Sequence, residues 1–597
     1  MYSQRIGVSE LMRAPSPSPP LPGTWRGVFY RGHRVAGGVW LAVLLAGCSL
    51  GQREEGKRDE AIWRGQTARI RTLDPARAGD VASALAVSRL YEGLLQYAYA
   101  ERPYQVEPLL AATLPLISAD GLTYTFTLRP GVFFQDDPCF TGTGGRGREL
   151  EAADFVFSMK RIADAKNSSS GYWAFRGRIE GLDAFRADSS GTAPTDYSQP
   201  VAGLQAVDRY TLQIRLTQPY PQLLWVLTMP YAAAVPREAV AYYGAAFDRH
   251  PVGTGPFRLA SWRPNYSIEF ARNPKWMSPD GATPALDRII QYVIGDPSTA
   301  WLMFLDGRLE SSPVSRDNWD AVVDERRQLR PELAARGIQL IQAPTLDLYY
   351  IGFNMDDPIV GSNPKLRQAL TCAFNTEEWR RFYQDRVTRP DGPIPPGVAG
   401  APDLPSPYPF DLPRARQWLA EAGYPDGVDS STGRRLQLTL DLGQADNPEI
   451  RQSTDLFVQF MDRLGVVVTP IYNNWPTFLS RIERRQVQLF RLSWIADYPD
   501  AENFLQLFYS PNASPGSNRT NYRNPAFDRL YEQARGLADG AARDDLIRRM
   551  TTIVQEDCPW IFVHCPTAAV LLQPWVQNYR YHDFPYGMDK YYAVEKH

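Results

Sequence analysis

The pattern of apolar and polar positions changes near Leu340. Beyond that point, short apolar runs alternate with segments whose apolar residues recur at helical spacing. The pattern predicts strands at 346–354, 436–442 and 466–472, and helices at 365–374, 413–422, 449–464, 475–484 and 529–556, the last one broken near 536–540. Two apolar strands, at 560–563 and 569–572, follow. This alternation predicts an α/β unit with substantial parallel pairing.

The chain before Leu340 is more mixed. The pattern predicts helices at 82–96 and 153–162, strands at 124–128, 257–262, 267–270 and 286–294, and a hairpin at 207–216. A glycine-rich turn, Gly253-Thr254-Gly255-Pro256, precedes one of these strands. Because a proline and a strand follow it, and not the N-terminus of a helix, this turn is a poor nucleotide-binding motif.

The stretch Leu489–Tyr509 combines an apolar strand, a turn and an apolar segment at helical spacing. Asp497 stands at the carboxyl end of the strand, where functional side chains are often placed. A carboxylate that follows a buried run needs a cation or several hydrogen-bond donors. The local sequence favours a helix-capping or turn role for Asp497, and a ligand anchor is the alternative.

The N-terminal region has the features of a secretory signal. Three arginines precede a short apolar run, which ends in Leu45-Ala46-Gly47-Cys48. These four residues resemble the bacterial lipobox, which implies cleavage before Cys48 and attachment of lipid to its thiol. An ordinary signal peptide with a chance cysteine is the alternative. The polar stretch after Cys48 is expected to tether the lipid to the folded part, which is expected to begin near Ala68.

Composition narrows the class of protein. At 597 residues the chain has room for two or three domains, and its 44% hydrophobic and 22% charged residues are ordinary for a soluble globular protein. The formal net charge of −2 gives no indication of nucleic acid as a partner. The aromatic content of 12% suits amphipathic pockets as well as a large aromatic core.

The histidines and cysteines give no indication of catalysis or of a metal. The five histidines form no H-E-x-x-H motif and no triad-like cluster, and no cysteine pair has metal-binding C-x-x-C spacing. We therefore expect neither an enzyme nor a cofactor. After Cys48, four cysteines remain (Cys139, Cys372, Cys558 and Cys565), which form either one disulfide, with Cys558 and Cys565 the nearest pair, or free buried thiols.

Short segments spread along the chain resemble one family, the peptide-type solute-binding proteins of bacterial ABC importers, extracellular family 5. The matching segments are Thr72–Pro75, Leu90–Leu94, Ala153–Ser158, Val252–Phe257, Arg272–Pro274, Tyr350–Asn354, Leu366–Leu370, Gly392–Gly397, Trp494–Tyr498 and Asn524–Asp528. Each is short, but together they cover nearly all of the chain after Cys48.

The resemblance implies a periplasmic-binding-protein type II α/β fold with two lobes, a hinge and a subdomain inserted in the first lobe. The expected divisions are 1–47 (signal peptide), 48–66 (lipidated cysteine and tether), 67–92 (first part of lobe I), 93–250 (inserted subdomain and return to lobe I), 251–345 (main part of lobe I), 346–557 (lobe II) and 558–597 (hinge return and C-terminal part of lobe I). A monomer that closes on a short peptide and delivers it to an ABC permease is expected.

The resemblance also implies a binding site. Asp497, in the Trp-x-Ala-Asp segment that begins at Trp494, is placed to pair with the α-ammonium group of a peptide. Trp494 itself is also an expected ligand-binding residue. Arg491 is placed to contact the carboxylate end of short ligands, and Trp475 to line a pocket. Tyr172 of the inserted subdomain and Asp80 are weaker matches, because Asp80 is one position out of register. A second carboxylate-binding arginine is not in register, although Arg481 and Arg484 are near.

These expectations leave more than one function open. A lipid-anchored receptor that binds short peptides and delivers them to an ABC importer is the leading hypothesis. The same scaffold also suits a non-peptide solute, such as an oligosaccharide, a metal chelate, haem or an opine, or a ligand sensor. The absence of a catalytic motif argues against an enzyme.

Overall fold

The computed structural model describes residues 60–444 and 447–595. The elements that precede residue 345 are referred to here as the first lobe. They are β1 (Ile62–Thr67), α1 (Val81–Leu90), β2 (Leu95–Tyr97), β3 (Val106–Pro108), β4 (Leu116–Ile117), β5 (Thr123–Thr127), α2 (Ala152–Ala163), α3 (Leu182–Ser189), β6 (Leu204–Ala206), β7 (Thr211–Arg215), α4 (Leu223–Val226), α5 (Arg237–Tyr243), β8 (Phe257–Arg263), β9 (Ser267–Arg272), β10 (Arg288–Val293), α6 (Pro297–Leu305), β11 (Ser311–Pro313), α7 (Trp319–Val322), α8 (Pro331–Ala334) and β12 (Gln339–Pro344).

Two four-stranded sheets shape this lobe. One has the order β1-β10-β9-β8, in which β1 runs parallel to β10 and the other pairs are antiparallel. The other has the order β4-β5-β7-β6 and packs against α2. In β5 the buried Tyr124 and Phe126 alternate with more exposed threonines, as expected for a strand with one face on the core.

The elements after residue 345 build the second lobe and then return to the first. They are β13 (Leu348–Phe353), α9 (Pro364–Cys372), α10 (Thr376–Phe382), β14 (Val387–Thr388), α11 (Leu412–Glu421), β15 (Gln437–Leu442), α12 (Pro448–Leu464), β16 (Val467–Tyr472), α13 (Trp475–Glu483), β17 (Leu489–Trp494), α14 (Glu502–Leu505), α15 (Pro525–Ala534), α16 (Ala541–Asp557), β18 (Trp560–Leu572), β19 (Val576–Gln577) and β20 (Ala593–Val594).

The long strand β18 connects the two lobes. Its first half pairs with β13, and the core beside that pairing contains Ile351, Phe353 and Leu489. Its second half pairs with β12 and β11, beside a separate core cluster that includes Phe304 and Leu571. The chain therefore passes between the lobes twice, once between β12 and β13 and once within β18. Two antiparallel crossing segments of this kind are a suitable hinge.

The structure corrects three details of the predicted elements. The fold begins before the predicted Ala68, because β1 (Ile62–Thr67) already pairs with β10. Pairing through Pro566 makes the two predicted strands at 560–563 and 569–572 a single strand, β18. The second-lobe sheet is mixed, since β15 runs parallel to β16 and β17, whereas β13 is antiparallel to both of its neighbours.

Helix α1 ends at Leu90 and not at the predicted Gln96. The turn at Gly253 and Gly255 packs directly against this end. The Gly255 N–H donates to the Leu90 carbonyl at 3.0 Å, and a Cβ on Gly253 would lie 1.9 Å from the same oxygen. Tyr91, the next residue, adopts an extended conformation, and the helix stops there with its last carbonyl bonded by Gly255.

The four cysteines of the described part are buried free thiols. The alternative of a disulfide between Cys558 and Cys565 is therefore wrong for this structure. Cys48 and the predicted signal peptide lie outside the described residues. Within the described ranges, no helix is both long and apolar enough to cross a membrane.

Candidate functional site

Asp497 lies just past the end of β17 and is held by one neighbouring side chain. Asn503, which is fully buried, accepts the Asp497 backbone N–H at 3.2 Å and the Trp494 Nε1–H at 2.8 Å. Its amide group donates to the Asp497 carboxylate at 3.3 Å. The hydrogen bond that caps this turn comes instead from Asp500, which accepts the Glu502 N–H at 2.7 Å. Asp497 is thus positioned by Asn503 and is free of the capping role that its local sequence favoured.

The environment of Asp497 is unfavourable for a lone negative charge. Burial, with a smaller contribution from the charge of Glu502, raises the pKa of Asp497 to about 6, although the hydrogen bond from Asn503 opposes that rise. No lysine or arginine of the described residues forms an ion pair with Asp497. A half-buried carboxylate with one hydrogen bond and no cation is suited to receive a cationic group.

Tyrosines of the first lobe stand near Asp497. The negative charge of Asp497 contributes to raising the pKa of Tyr231 and the pKa of Tyr586, and burial is the larger cause in both cases. Asp80 also raises the pKa of Tyr231, so the two aspartates lie near the same ring. Residues of both lobes therefore lie near this position, and no local pattern in the sequence marks either tyrosine.

The other two candidates in the first lobe have structural partners. Asp80 caps α1, where it accepts the Ser83 N–H at 2.9 Å and the Ser83 hydroxyl at 2.8 Å. The Tyr172 hydroxyl donates to Asp183, and the Arg186 guanidinium lies 4.2 Å from the centre of its ring. These contacts account for both residues without a ligand, and their predicted ligand roles stay predictions.

A cavity of about 280 Å³ opens in the second lobe, beside β17 and β18. Its wall includes Arg491, Trp475, His564, Arg386 and Glu449. Trp475 begins α13, is 46% exposed and packs against Phe478 with ring centres 5.6 Å apart. A Cβ on Gly443 would lie 2.5 Å from the Phe478 ring and 2.8 Å from the Trp475 ring, so the two aromatic side chains leave no room for a larger residue there. Asp497 is not on this wall.

Arg491 reaches the cavity from β17. It is only 8% exposed, and its guanidinium donates to the Ser453 hydroxyl at 2.6 Å and to the Tyr383 hydroxyl at 3.0 Å. Its charge also lies 5.2 Å from the centre of the Trp379 ring. None of these partners is an anion, and within the described ranges Arg491 forms no ion pair. A buried guanidinium held by neutral oxygens retains an uncompensated positive charge.

His564 lies beside Arg491 on the cavity wall. Burial, together with the positive charge of Arg491, lowers the pKa of His564 well below its usual value, so the ring is neutral. Its Nδ1 accepts the Trp379 Nε1–H at 3.1 Å, which places the remaining ring proton on Nε2. Tyr349 stacks on the ring with centres 4.5 Å apart. His564 is therefore a fixed neutral donor.

The second arginine of the cavity is Arg386, and not Arg481 or Arg484. Arg481 pairs with the buried Asp441 at 2.6 Å, and Arg484 is exposed at the end of α13. Arg386 reaches the cavity because β14 pairs with β18 and its carbonyl accepts the Thr567 N–H at 2.8 Å. Its position depends on pairing with a strand far along the chain, so no local spacing in the sequence marks it.

A comparison with known families identifies the protein. The family described as "Bacterial extracellular solute-binding proteins, family 5 Middle" matches residues 105–516. The chain belongs to family 5 of the bacterial extracellular solute-binding proteins. Members of this family are the periplasmic binding components of ABC importers and are not enzymes. The predicted family, the two-lobed fold and the absence of an enzymatic role are thereby confirmed.

Curated relatives match most of this family 5 protein. It is 28% identical over 500 residues to the heme-binding protein A of Haemophilus influenzae, an alignment that covers 82% of this chain and 84% of the relative. It is 26% identical over 542 residues to the glutathione-binding protein GsiB of Escherichia coli, an alignment that covers 89% of this chain and 92% of the relative.

Solved structures show the same fold. HbpA2 from Haemophilus parasuis superposes with a TM-score of 0.75 at 24% identity, over 90% of this chain and all (100%) of the other. The periplasmic binding protein DppA from Helicobacter pylori, solved with the peptide STSA, superposes with a TM-score of 0.68 at 23% identity, over 90% and 99% of the two chains. At these identities the likeness is one of fold. The family 5 protein thus has a cleft scaffold, and its ligand must be argued from its own residues.

Proposed function

We propose that this protein binds short peptides with a free N-terminus in the cleft between its lobes and delivers them to an ABC importer. The observation that carries the proposal is Asp497, a half-buried carboxylate that, among the described residues, is hydrogen-bonded by Asn503 alone and pairs with no cation. The α-ammonium group of a peptide supplies the missing positive charge. A charge-assisted hydrogen bond of this kind contributes about 1.5–3 kcal/mol.

The opposite end of the peptide is assigned to Arg491. This arginine has a positive charge, neutral partners and a place on the cavity wall. The strand from Arg491 to Trp494 covers about 10 Å at roughly 3.3 Å per residue, and Asp497 lies three positions further on. A separation of this order suits an extended peptide of a few residues, with its ammonium group at Asp497 and its carboxylate in the cavity.

The comparisons support a peptide ligand without deciding it. The H. pylori structure of similar fold contains the peptide STSA, and that of H. influenzae OppA contains the peptide RPPGFSPFR. The relative GsiB is named for glutathione, which is a tripeptide. The name heme-binding protein A keeps a non-peptide solute as the second candidate.

The lipid anchor remains part of the proposal. Cys48 follows a signal-like apolar run in a lipobox-like context, and a lipid there would keep the receptor near its permease. Mass spectrometry of the mature N-terminus from a bacterial membrane fraction tests this point. A diacylated or triacylated Cys48 is expected, and an unmodified N-terminus beyond Cys48 would contradict it.

Mass spectrometry of the ligand that co-purifies with the protein tests the proposed function. The soluble form, expressed without its signal and tether, is examined intact and then after denaturation, beside its Asp497→Asn variant. We expect the wild-type protein to carry a set of short peptides with free amino groups, and the variant to carry little. A single non-peptide compound retained by both proteins would contradict the proposal.

A further inference from the structure

Arg386 is a partly buried cation on the cavity wall, and one of its terminal nitrogens has no hydrogen-bond acceptor within the described part of the chain. Its Nη2 is closed to solvent and has no acceptor within the described part of the chain. Its Nε donates to the Tyr383 carbonyl at 3.3 Å. Burial lowers the pKa of this guanidinium, which shows the desolvation that the charge experiences. A buried charged donor without an acceptor is costly, so its presence calls for a partner.

The fold holds Arg386 in place. Its guanidinium lies 5.5 Å from the centre of the Trp319 ring, and its backbone is fixed by the hydrogen bond from Thr567 on β18. Trp319 belongs to the first lobe and Tyr383 to the second, so Arg386 lies beside the hinge. This is the setting of a positioned side chain, and not of a solvated surface arginine.

The cavity offers more donors than one carboxylate accepts. Arg491 donates one N–H from each terminal nitrogen, to Ser453 and to Tyr383, and its other N–H groups remain available to a ligand. Both terminal nitrogens of Arg386 make no hydrogen bond among the described residues and can donate to a ligand, and His564 can donate its Nε2–H. A single carboxylate has about four lone-pair sites, and the N–H donors of two guanidiniums and an imidazole outnumber them. Arg491 is sufficient for one carboxylate by itself, in the bidentate geometry that suits this pair.

One acidic side chain, Glu449, lies on the described wall of the cavity. Its charge is felt by Arg386, but it forms no ion pair with Arg386 or with Arg491. Glu449 stands in the first turn of α12 and is partly open to solvent, which screens its charge. It therefore offsets only part of the positive charge of the two arginines.

We propose that this cavity binds a ligand end with two carboxylates, one at Arg491 and the other at Arg386, so that the preferred ligands are peptides with a C-terminal or adjacent acidic side chain. This inference rests on the proposed function for the ammonium end of the ligand. It adds the chemical class of the other end and assigns Arg386 as a specificity-determining residue.

Two tripeptides that differ by one carboxylate test the inference. Isothermal titration calorimetry compares Ala-Ala-Glu with Ala-Ala-Gln on the ligand-stripped protein. We expect the wild-type protein to prefer Ala-Ala-Glu by about tenfold or more, as 1.4 kcal/mol corresponds to a factor of ten. Arg386→Gln is expected to remove this preference and leave the affinity for Ala-Ala-Gln within about threefold. Arg386→Lys, which keeps the positive charge, is expected to retain part of the preference for Ala-Ala-Glu.

Arg484→Gln is the matched control, because it removes a positive charge from an exposed position of the same lobe. It should keep the full preference for Ala-Ala-Glu. A wild-type protein that binds both tripeptides equally, or prefers Ala-Ala-Gln, would overturn the inference. So would an Arg386→Gln variant that folds and keeps the preference.

N-acetylated forms of the two tripeptides separate this inference from the proposed function. If acetylation abolishes binding while the second carboxylate has no effect, the proposed function stands and the inference fails. If acetylation has no effect but the preference for the second carboxylate depends on Arg386, the inference stands and the ammonium anchor fails. Binding of neither tripeptide contradicts both.

Discussion

Asn503 holds Asp497 through two contacts, since its oxygen accepts the Asp497 N–H at 3.2 Å and its amide group donates to the carboxylate at 3.3 Å. The same oxygen accepts the Trp494 Nε1–H. One buried amide thus fixes both the indole and the carboxylate of the Trp-x-Ala-Asp segment. The carboxylate keeps its other acceptor sites for a ligand.

Removal of this amide should weaken binding through the pKa of Asp497. Because the hydrogen bond from Asn503 lowers that pKa, Asn503→Ala should raise it above about 6 and leave less carboxylate ionised at neutral pH. We expect reduced affinity for peptides with a free amino group and a pH midpoint that moves upward. Calorimetric titrations at several pH values measure both effects. Asn512→Ala removes an amide from the adjacent turn as control, and an unchanged midpoint in Asn503→Ala would refute this account of the pair.

Affinity for peptides should fall as the pH falls through about 6. Burial raises the pKa of Asp497 to about 6, so below that pH the unliganded protein is protonated there and loses the charge that attracts the ammonium group. Above about pH 8 the α-amino group of the ligand itself loses its proton. A bell-shaped profile between about pH 5 and about pH 9 is expected. Asp497→Asn should remove the acid limb, and an acid limb that persists in this variant would assign it to another group.

Arg491 should matter for binding and not for stability. Leucine at this position removes a buried charge whose partners are two neutral hydroxyls, so the free energy of unfolding of the ligand-free protein should stay unchanged or rise. Affinity for peptides with a free carboxylate should fall by about tenfold or more, and affinity for C-terminally amidated peptides should change little. Urea unfolding and calorimetry measure the two effects. A strongly destabilised Arg491→Leu variant would indicate a structural role.

Removal of one partner from the buried ion pair between Arg161 and Asp74 should destabilise the first lobe. Both residues are buried, and the guanidinium donates to both carboxylate oxygens, at 2.9 and 2.8 Å. Asp74→Ala leaves a buried, unpaired cation and should cost about 3–5 kcal/mol of unfolding free energy. The exposed pair of Arg215 and Glu180 is the control, and Glu180→Ala should cost less than about 1 kcal/mol. Equal losses in the two variants would contradict the burial assigned to Asp74.

The sequence predicts well those helices and strands whose periodicity and capping residues all lie within the element itself. Helix α12 spans Pro448–Leu464, close to the predicted 449–464, because its periodicity and its Asn447 cap are local. The end of α1 depends on Gly255, which is distant in sequence and takes the Leu90 carbonyl. Pro566 interrupts the apolar pattern of β18. The strand continues through it because β14 and β12 pair with the residues at and after this proline.

The candidate site also combines residues that local spacing in the sequence marks with residues that only distant contacts bring together. Arg491 and Trp475 were assigned through their spacing to Asp497, and the structure places them on one cavity wall. Their roles as ligand contacts stay predictions. The contribution of Asn503 required the turn after β17 to be seen in space. Arg386 required the pairing of β14 with β18, which no local pattern contains.

The role of Asp497 as the ammonium anchor is tested most directly by a double comparison in calorimetry. One peptide and its N-acetylated form are titrated into the wild-type protein, into Asp497→Asn, and into Asp462→Asn, which alters an exposed carboxylate of the same lobe. We expect acetylation to cost the wild-type protein and Asp462→Asn about tenfold or more in affinity, as a charge-assisted hydrogen bond of about 1.5–3 kcal/mol implies. Asp497→Asn should bind both forms equally weakly. An Asp497→Asn variant that still discriminates the free amine from the acetylated one, with unchanged affinity, would contradict the account.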